Sequence, residues 1–173
     1  MLYSLEFRVR DYECDLQGIV NNANYQHYYE HTRHEFLIEN NISFAALHDQ
    51  QIDFVVARVE MSYKYPLRSG DTFVSELDFR QEGIKYVFIQ KIYRLPDRKL
   101  CNIGRFDCVC LDHGRLKHCE LLDDFIQKER TVAESRQIFA GEHIEQTAGH
   151  AQVVQPVDDF RHQRRFSLLG IFE

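Results

Sequence analysis

Asp15 stands in a short loop with Gly18, and that loop runs straight into a long stretch of helical periodicity, so that residues 11–36 read DYECDLQGIVNNANYQHYYEHTRHEF. A helix start carries unpaired backbone N–H groups and the positive end of the helix dipole, and both favour negative charge. A carboxylate beside such an end can activate water, or attack a carbonyl carbon itself, while the amides hold the oxyanion that develops. Asn21 and Asn22 fall where a cap is needed, and asparagine is among the best capping residues. From there the larger or less polar side chains recur at Tyr25, Tyr28, Tyr29, Thr32 and Phe36, one face of a 3.6-residue period with Thr32 its weakest member. Asp15 also has a plainer role open to it, the turn-forming aspartate of a glycine-containing loop.

Other reactive side chains lie close by. His27-Tyr28-Tyr29-Glu30-His31 matches an H-x-x-E-H metalloprotease pattern, and the spacing puts two imidazoles one turn apart. The chain is short for that class and shows no downstream acidic ligand motif. His27, His31 and His34 also fall opposite the aromatic face, as expected of a solvated or interface surface, so no metal is expected. Cys14 has no basic neighbour in sequence to lower its pKa and reads as a semi-buried structural cysteine. No G-x-S-x-G elbow and no phosphate-binding glycine loop is present, and no cofactor is expected. Arg58, Lys64, Arg68 and Arg80 read as ordinary strand and turn charges.

The segment resembles the hot-dog thioesterases of the 4-hydroxybenzoyl-CoA thioesterase and acyl-CoA thioester hydrolase families. The matching residues are Asp15, Gly18, Ile19, Val20, Asn21, Asn22, Ala23, Asn24 and Tyr25, followed by Tyr28, Tyr29 and Glu30. A second stretch, ARVEMSYKYPLRSGD at 57–71, is similar to the family's long strand, proline and Gly-Asp turn. The resemblance implies a thioester hydrolase acting on acyl-CoA or an acyl-carrier protein. It places Asp15 as general base or nucleophile, with the amides around Asn22, Ala23 and Asn24 as the oxyanion hole. Gly18, Val20, Tyr25 and Tyr29 become candidate substrate contacts. Many members carry a histidine where this chain has Asn22, and the Asn-Asn-Ala form looks more like the branch acting on fatty acyl thioesters. Asn22 is equally readable as the helix cap. A hot-dog dehydratase has a different pattern, with a loop histidine that is absent here; a non-catalytic acyl-CoA binder on the same fold is the alternative.

These residues need elements to hold them. Residues 3–9 alternate, with Tyr3, Leu5, Phe7 and Val9 on one side, and read as a half-buried strand. A helix over 23–39 follows, ending near Asn40-Asn41. Residues 54–65 alternate with Val55, Ala57, Val59, Met61, Tyr63 and Tyr65 on one face, and 72–80 with Phe73, Leu77 and Phe79 inside. The runs at 85–94 and 101–111 read as central strands, with a bulge expected near Gly104. Leu121, Leu122, Phe125 and Ile126 give a short amphipathic helix. One strand, one long helix and four strands on short turns make an α+β fold: a curved antiparallel sheet of about five strands wrapped around one central helix.

Composition bounds the rest. A chain of 173 residues fits one domain, and 44% hydrophobic with 28% charged residues is ordinary globular usage. The domain is expected over 1–130, and 131–173 as a polar extension whose segment 166–172 (FSLLGIF) can dock on a partner or on the sheet. A net charge of −6 argues against nucleic acid, and a CoA ligand would need a local basic patch. No apolar run reaches membrane-spanning length, and no signal peptide is legible. Five cysteines in no zinc spacing leave an odd thiol, which favours a reducing cytoplasm. Exposed sheet edges imply pairing into a homodimer or homotetramer.

Overall fold

The computed structural model describes residues 1–128, so the extension expected over 131–173, with its segment 166–172, lies outside the described residues. The chain runs as β1 (Tyr3–Arg8), a 3-10 turn (Asp11–Glu13), α1 (Asn22–Glu39), α2 (Phe44–Asp49), β2 (Ile52–Tyr63), β3 (Thr72–Glu82), β4 (Lys85–Leu95), β5 (Lys99–Asp112) and β6 (Arg115–Lys117). A last helical segment, α3, covers 120–128. All strands pair antiparallel in the order β1-β3-β4-β5-β2, with β6 added to β5. The sheet curls around α1 as a half-barrel, the α+β arrangement expected. Two elements were not legible: α2, capped by Ser43 Oγ accepting the Ala46 N–H at 3.2 Å, and the three-residue β6.

The aromatic stripe of α1 is its buried face. Tyr25, Tyr28, Tyr29, Thr32 and Phe36 are buried, together with Arg33 and Leu37, whereas His27, His31 and His34 are exposed. Burying a side chain such as Phe36 or Leu37 is worth about 1.5–3 kcal/mol each, so this face anchors the helix. Thr32 belongs there because its hydroxyl donates to Tyr28 O at 2.8 Å and accepts from Ser75 Oγ at 2.9 Å. The helix ends where Asn41 adopts φ 60°. The Asn41 N–H then donates to Ile38 O (2.9 Å) and the Ile42 N–H to Leu37 O (2.8 Å), closing a Schellman turn with asparagine in the left-handed position.

One expectation about the strands is overturned, and another is displaced by three residues. The register of β2 against β5 shifts between Val56 and Arg58, so one alternation cannot run through the strand. An extra residue at a bulge turns the preceding side chains to the other face. Phe54 therefore packs on the core, while Val55 is 38% exposed, and the strand stops at Tyr63. The bulge of β5 lies at Cys101, where its register against β4 shifts, three residues before Gly104; Gly104 itself pairs in register with Met61 and Gln90. Glycine is required there for another reason: a Cβ would lie 2.8 Å from Cε2 of both Tyr29 and Phe106. In α3, Leu122 and Ile126 are buried and Phe125 meets Phe36 with ring centroids 5.5 Å apart, whereas Leu121 of the same expected face is exposed.

Candidate functional site

The loop between β1 and α1 folds back on itself. Cys14 and Val20 form an isolated antiparallel bridge, the Asp15 N–H donates to Ile19 O (2.9 Å) and the Gly18 N–H to Asp15 O (3.0 Å). Gly18 sits at φ 71°, a conformation that favours glycine and lets this turn close. Asp15 Oδ1 accepts the Gln17 N–H at 2.8 Å, so the residue does form an Asx turn. Its second oxygen, Oδ2, has no partner among the described residues. The turn thus fixes the carboxylate and leaves one oxygen open.

The helix start resolves which asparagine does what. Asn21 is the cap: its Oδ1 accepts the Ala23 N–H at 3.0 Å, and its carbonyl accepts the Asn24 N–H at 2.9 Å. Asn22 is the first helical residue, and among the described residues its N–H meets no acceptor. Of the three amides singled out in sequence, the one at Asn22 is open and those at Ala23 and Asn24 are engaged. The Asn24 side chain ties the helix down by donating from Nδ2 to Glu13 O at 2.6 Å.

Asp15 and Asn22 line one cavity of about 440 Å³ together with Gln17, Ile19, Val20, Tyr25, Tyr63, Lys64, Tyr65 and Pro66. Its walls come from the loop, the first turn of α1 and the end of β2. The Tyr63 hydroxyl donates to Asn22 O at 3.1 Å, and the Tyr25 hydroxyl accepts the Leu67 N–H at 3.2 Å, so the ends of β2 and α1 are joined. Val20 and Tyr25 are in the wall. Gly18 shapes the turn without lining the cavity. Tyr29 points into the sheet instead: it is fully buried and donates to Asn102 Oδ1 at 2.8 Å.

Sequence reasoning missed Glu13. This buried carboxylate accepts the Arg10 N–H (2.7 Å) and the Tyr28 hydroxyl (2.8 Å) on Oε2, while its backbone carbonyl also takes the Asn21 N–H (2.9 Å). Burial, with the Glu13 carboxylate beside it, pushes the Tyr28 phenol far above its ordinary pKa, so it remains a donor. A larger cavity of about 910 Å³ is lined by this pair together with β1, His27 and His31. It contains neither Asp15 nor Asn22, and its buried acid is fully engaged, which makes the smaller cavity the candidate site. Among the described residues no three His, Cys, Asp or Glu side chains converge as a metal site. Burial raises the thiol of Cys108 to about 11, and that of Cys110 to about 12 with Cys119 adding to it, so these are inert core fillers.

A half-barrel of antiparallel strands around one helix, with a loop acid beside the helix start, defines a hot-dog protein. The fold superimposes on the 1,4-dihydroxy-2-naphthoyl-CoA thioesterase Slr0204 of Synechocystis with a TM-score of 0.68 at 13% identity, covering 72% of this chain and 94% of that one. Residues 9–129 match the thioesterase-like superfamily, and the chain belongs to that family. Its sequence is 30% identical over 109 residues to the long-chain acyl-CoA thioesterase FadM of Escherichia coli, covering 62% of this chain and 81% of that one. It is 34% identical over 98 residues to the chloroplastic acyl-acyl carrier protein thioesterase ATL3 of Arabidopsis thaliana. That match covers 56% of this chain and spans 52% of the relative's length. No helix among the described residues is long and apolar enough to cross a membrane.

Proposed function

We propose that this chain hydrolyses acyl thioesters of coenzyme A or of an acyl carrier to a free acid and a thiol. The observation that carries the reading is the meeting of Asp15 and the first turn of α1 in one cavity, with one carboxylate oxygen and one amide N–H unengaged. Relatives named as acyl-CoA and acyl-carrier thioesterases support the substrate class.

The thioester carbonyl oxygen sits against the Asn22 N–H, which strengthens its hold as negative charge develops. In the general-base route, Asp15 Oδ2 takes a proton from water as the water oxygen bonds to the acyl carbon. The tetrahedral oxyanion collapses, the C–S bond breaks, and the proton passes from Asp15 to the departing sulfur. In the nucleophilic route, Oδ2 bonds to the acyl carbon and expels the thiolate, and water then cleaves the mixed anhydride. Both routes use the same two groups. Val20 and Tyr25 line the acyl side.

The reading includes a homodimer. β2 is an edge strand of twelve residues, Ile52–Tyr63, whose outer backbone groups have no strand beside them among the described residues and which exposes Val55, Val56 and Tyr63. Such an edge favours pairing with a second copy, and β2 also ends in the cavity wall. The five cysteines are all unpaired thiols, consistent with a cytoplasmic location.

The test is thiol release from a panel of acyl-CoAs, short to long and aromatic, and from the same acyl groups on a carrier protein. Turnover of any member supports the reading and names the acyl class. Binding without release across the panel points to a non-catalytic acyl binder instead.

A further inference from the structure

Among the described residues, one buried side-chain polar atom meets no hydrogen-bond partner: Nδ2 of Asn102. Asn102 lies on β5 and is fully buried, and its Oδ1 accepts the Tyr29 hydroxyl at 2.8 Å. Burial, and then the neighbouring phenols of Tyr25 and Tyr63, hold the Tyr29 phenol far above its ordinary pKa, so it remains a donor and keeps Oδ1 occupied. A buried donor without an acceptor is costly, whereas an apolar pair of the same shape would cost little. An amide at such a position calls for an acceptor that arrives from outside the fold. Asn102 stands opposite Tyr63 across the β2–β5 pair. Residues directly opposite on antiparallel strands point to the same face, with Cβ atoms about 4.5–5.5 Å apart. Tyr63 lines the Asp15 cavity, and its ring meets that of Tyr25, another wall residue, at 85° with centroids 5.4 Å apart. Asn102 thus stands behind the tyrosine wall of the cavity. Tyr63 is half-exposed, and one hydrogen bond to Asn22 O holds its hydroxyl, so a turn of this ring opens the way from the cavity to the amide.

We propose that Asn102 selects the acyl group, its free N–H donating to an oxygen, hydroxyl or oxo, that the acyl group carries beyond the thioester carbonyl. This rests on the thioesterase reading and deepens it. Tyr29, which holds the amide, follows Asn22 on the same helix by about two turns, roughly 10 Å along the axis. Helical side chains lean back towards the N-terminus, which shortens that span. The amide is therefore within reach of an oxygen several carbons along an acyl group whose carbonyl sits at the Asn22 N–H. A hydrocarbon acyl group in this place leaves the donor unpaired. A site built around a hydrogen bond rejects the analogue that lacks the acceptor far more strongly than an apolar pocket rejects one methylene. Hydroxyl and oxo oxygens both accept, and a methyl group of similar size does not.

The experiment compares acyl-CoAs of one chain length that carry a hydroxyl, an oxo or a methyl group at successive carbons. Wild type is measured beside the double variant Asn102→Leu/Tyr29→Phe, which replaces both partners by apolar groups of similar shape, with unfolding midpoints recorded for each. The expected result is that, at one or two positions, wild type prefers the oxygenated substrate to its methyl congener at least about tenfold in kcat/KM, and that the double variant loses this preference. The hydroxyl and oxo arms tell which oxygen is taken. A wild type that favours oxygen at no position overturns the proposal, even with hydrolysis intact, and returns Asn102 to a structural partner of Tyr29. A folded double variant that keeps the wild-type ratio overturns it as well. If the double variant does not fold, Asn102→Leu alone carries the same comparison. If no thioester is cleaved, calorimetry with the same acyl-CoAs decides the selection alone. Binding of the oxygenated member at least about tenfold tighter, lost in the variant, supports the proposal, and equal or absent binding overturns it.

Discussion

The Tyr28 hydroxyl donates to Glu13 Oε2 at 2.8 Å, and this buried bond ties the loop that carries Asp15 to the helix that supplies the open amide. Glu13 also receives the Arg10 N–H on the same oxygen, and its backbone carbonyl receives the Asn21 N–H and the Asn24 side chain. Glu13 thus ties the loop to the helix start through its side chain and its backbone carbonyl together.

Tyr28→Phe removes one hydrogen bond to a buried carboxylate and leaves the ring packing in place. It is expected to lower stability by about 1.5–3 kcal/mol, the usual worth of a bond to a charged group. Urea unfolding of wild type and variant measures it, and kcat falls with it if loop and helix drift apart. A variant as stable as wild type would show that Arg10 alone satisfies Glu13.

Gly104→Ala places a methyl group 2.8 Å from the rings of Tyr29 and Phe106. Both rings are fully buried, so neither has room to withdraw. Overpacking of this kind costs about 1–3 kcal/mol. Adding Tyr29→Leu to the variant frees that space and is expected to restore part of the loss, which a double-mutant cycle on thermal midpoints reads directly.

Acid stability is expected to depend on Glu82. Its hydrogen bonds to Arg105, and then to Arg80, hold the carboxyl at about 2 in the fold against an ordinary value of 4.5. Between those two values the unfolded chain binds a proton that the folded chain does not, so stability rises with pH there and is lost as pH falls towards 2. The pair is exposed, so the effect is small and shrinks with salt. Thermal midpoints from pH 5 to pH 2 should fall less steeply for Glu82→Gln than for wild type.

Much of this arrangement was legible in the chain. The alternation over 3–9 and 72–80 and the aromatic face of α1 are local patterns, and they reappear as β1, β3 and the buried side of the helix. What was not legible depends on partners distant in sequence. Arg33 is buried because Gln90 accepts its N–H at 2.9 Å and Phe106 lies 4.1 Å beneath its guanidinium, neither of which a helix pattern reveals. Ala57 breaks the alternation of β2 because β5 has one residue fewer opposite it. Asn21 and Asn22 are equally good caps by residue type, and only the backbone geometry assigns the role to Asn21 and leaves Asn22 open. Glu13 gave no signal, since an acid in a polar loop looks like a surface residue until Tyr28 covers it.

The central claim is that Asp15 performs the chemistry, and the most direct measurement is kcat/KM for the best acyl thioester with Asp15→Asn beside wild type. Asparagine still offers an oxygen to the Gln17 N–H, so the turn and the unfolding midpoint should be preserved. The account predicts a loss of roughly 10²–10⁴-fold in kcat/KM. A folded variant within about twofold of wild type would contradict it and return Asp15 to the role of a turn residue.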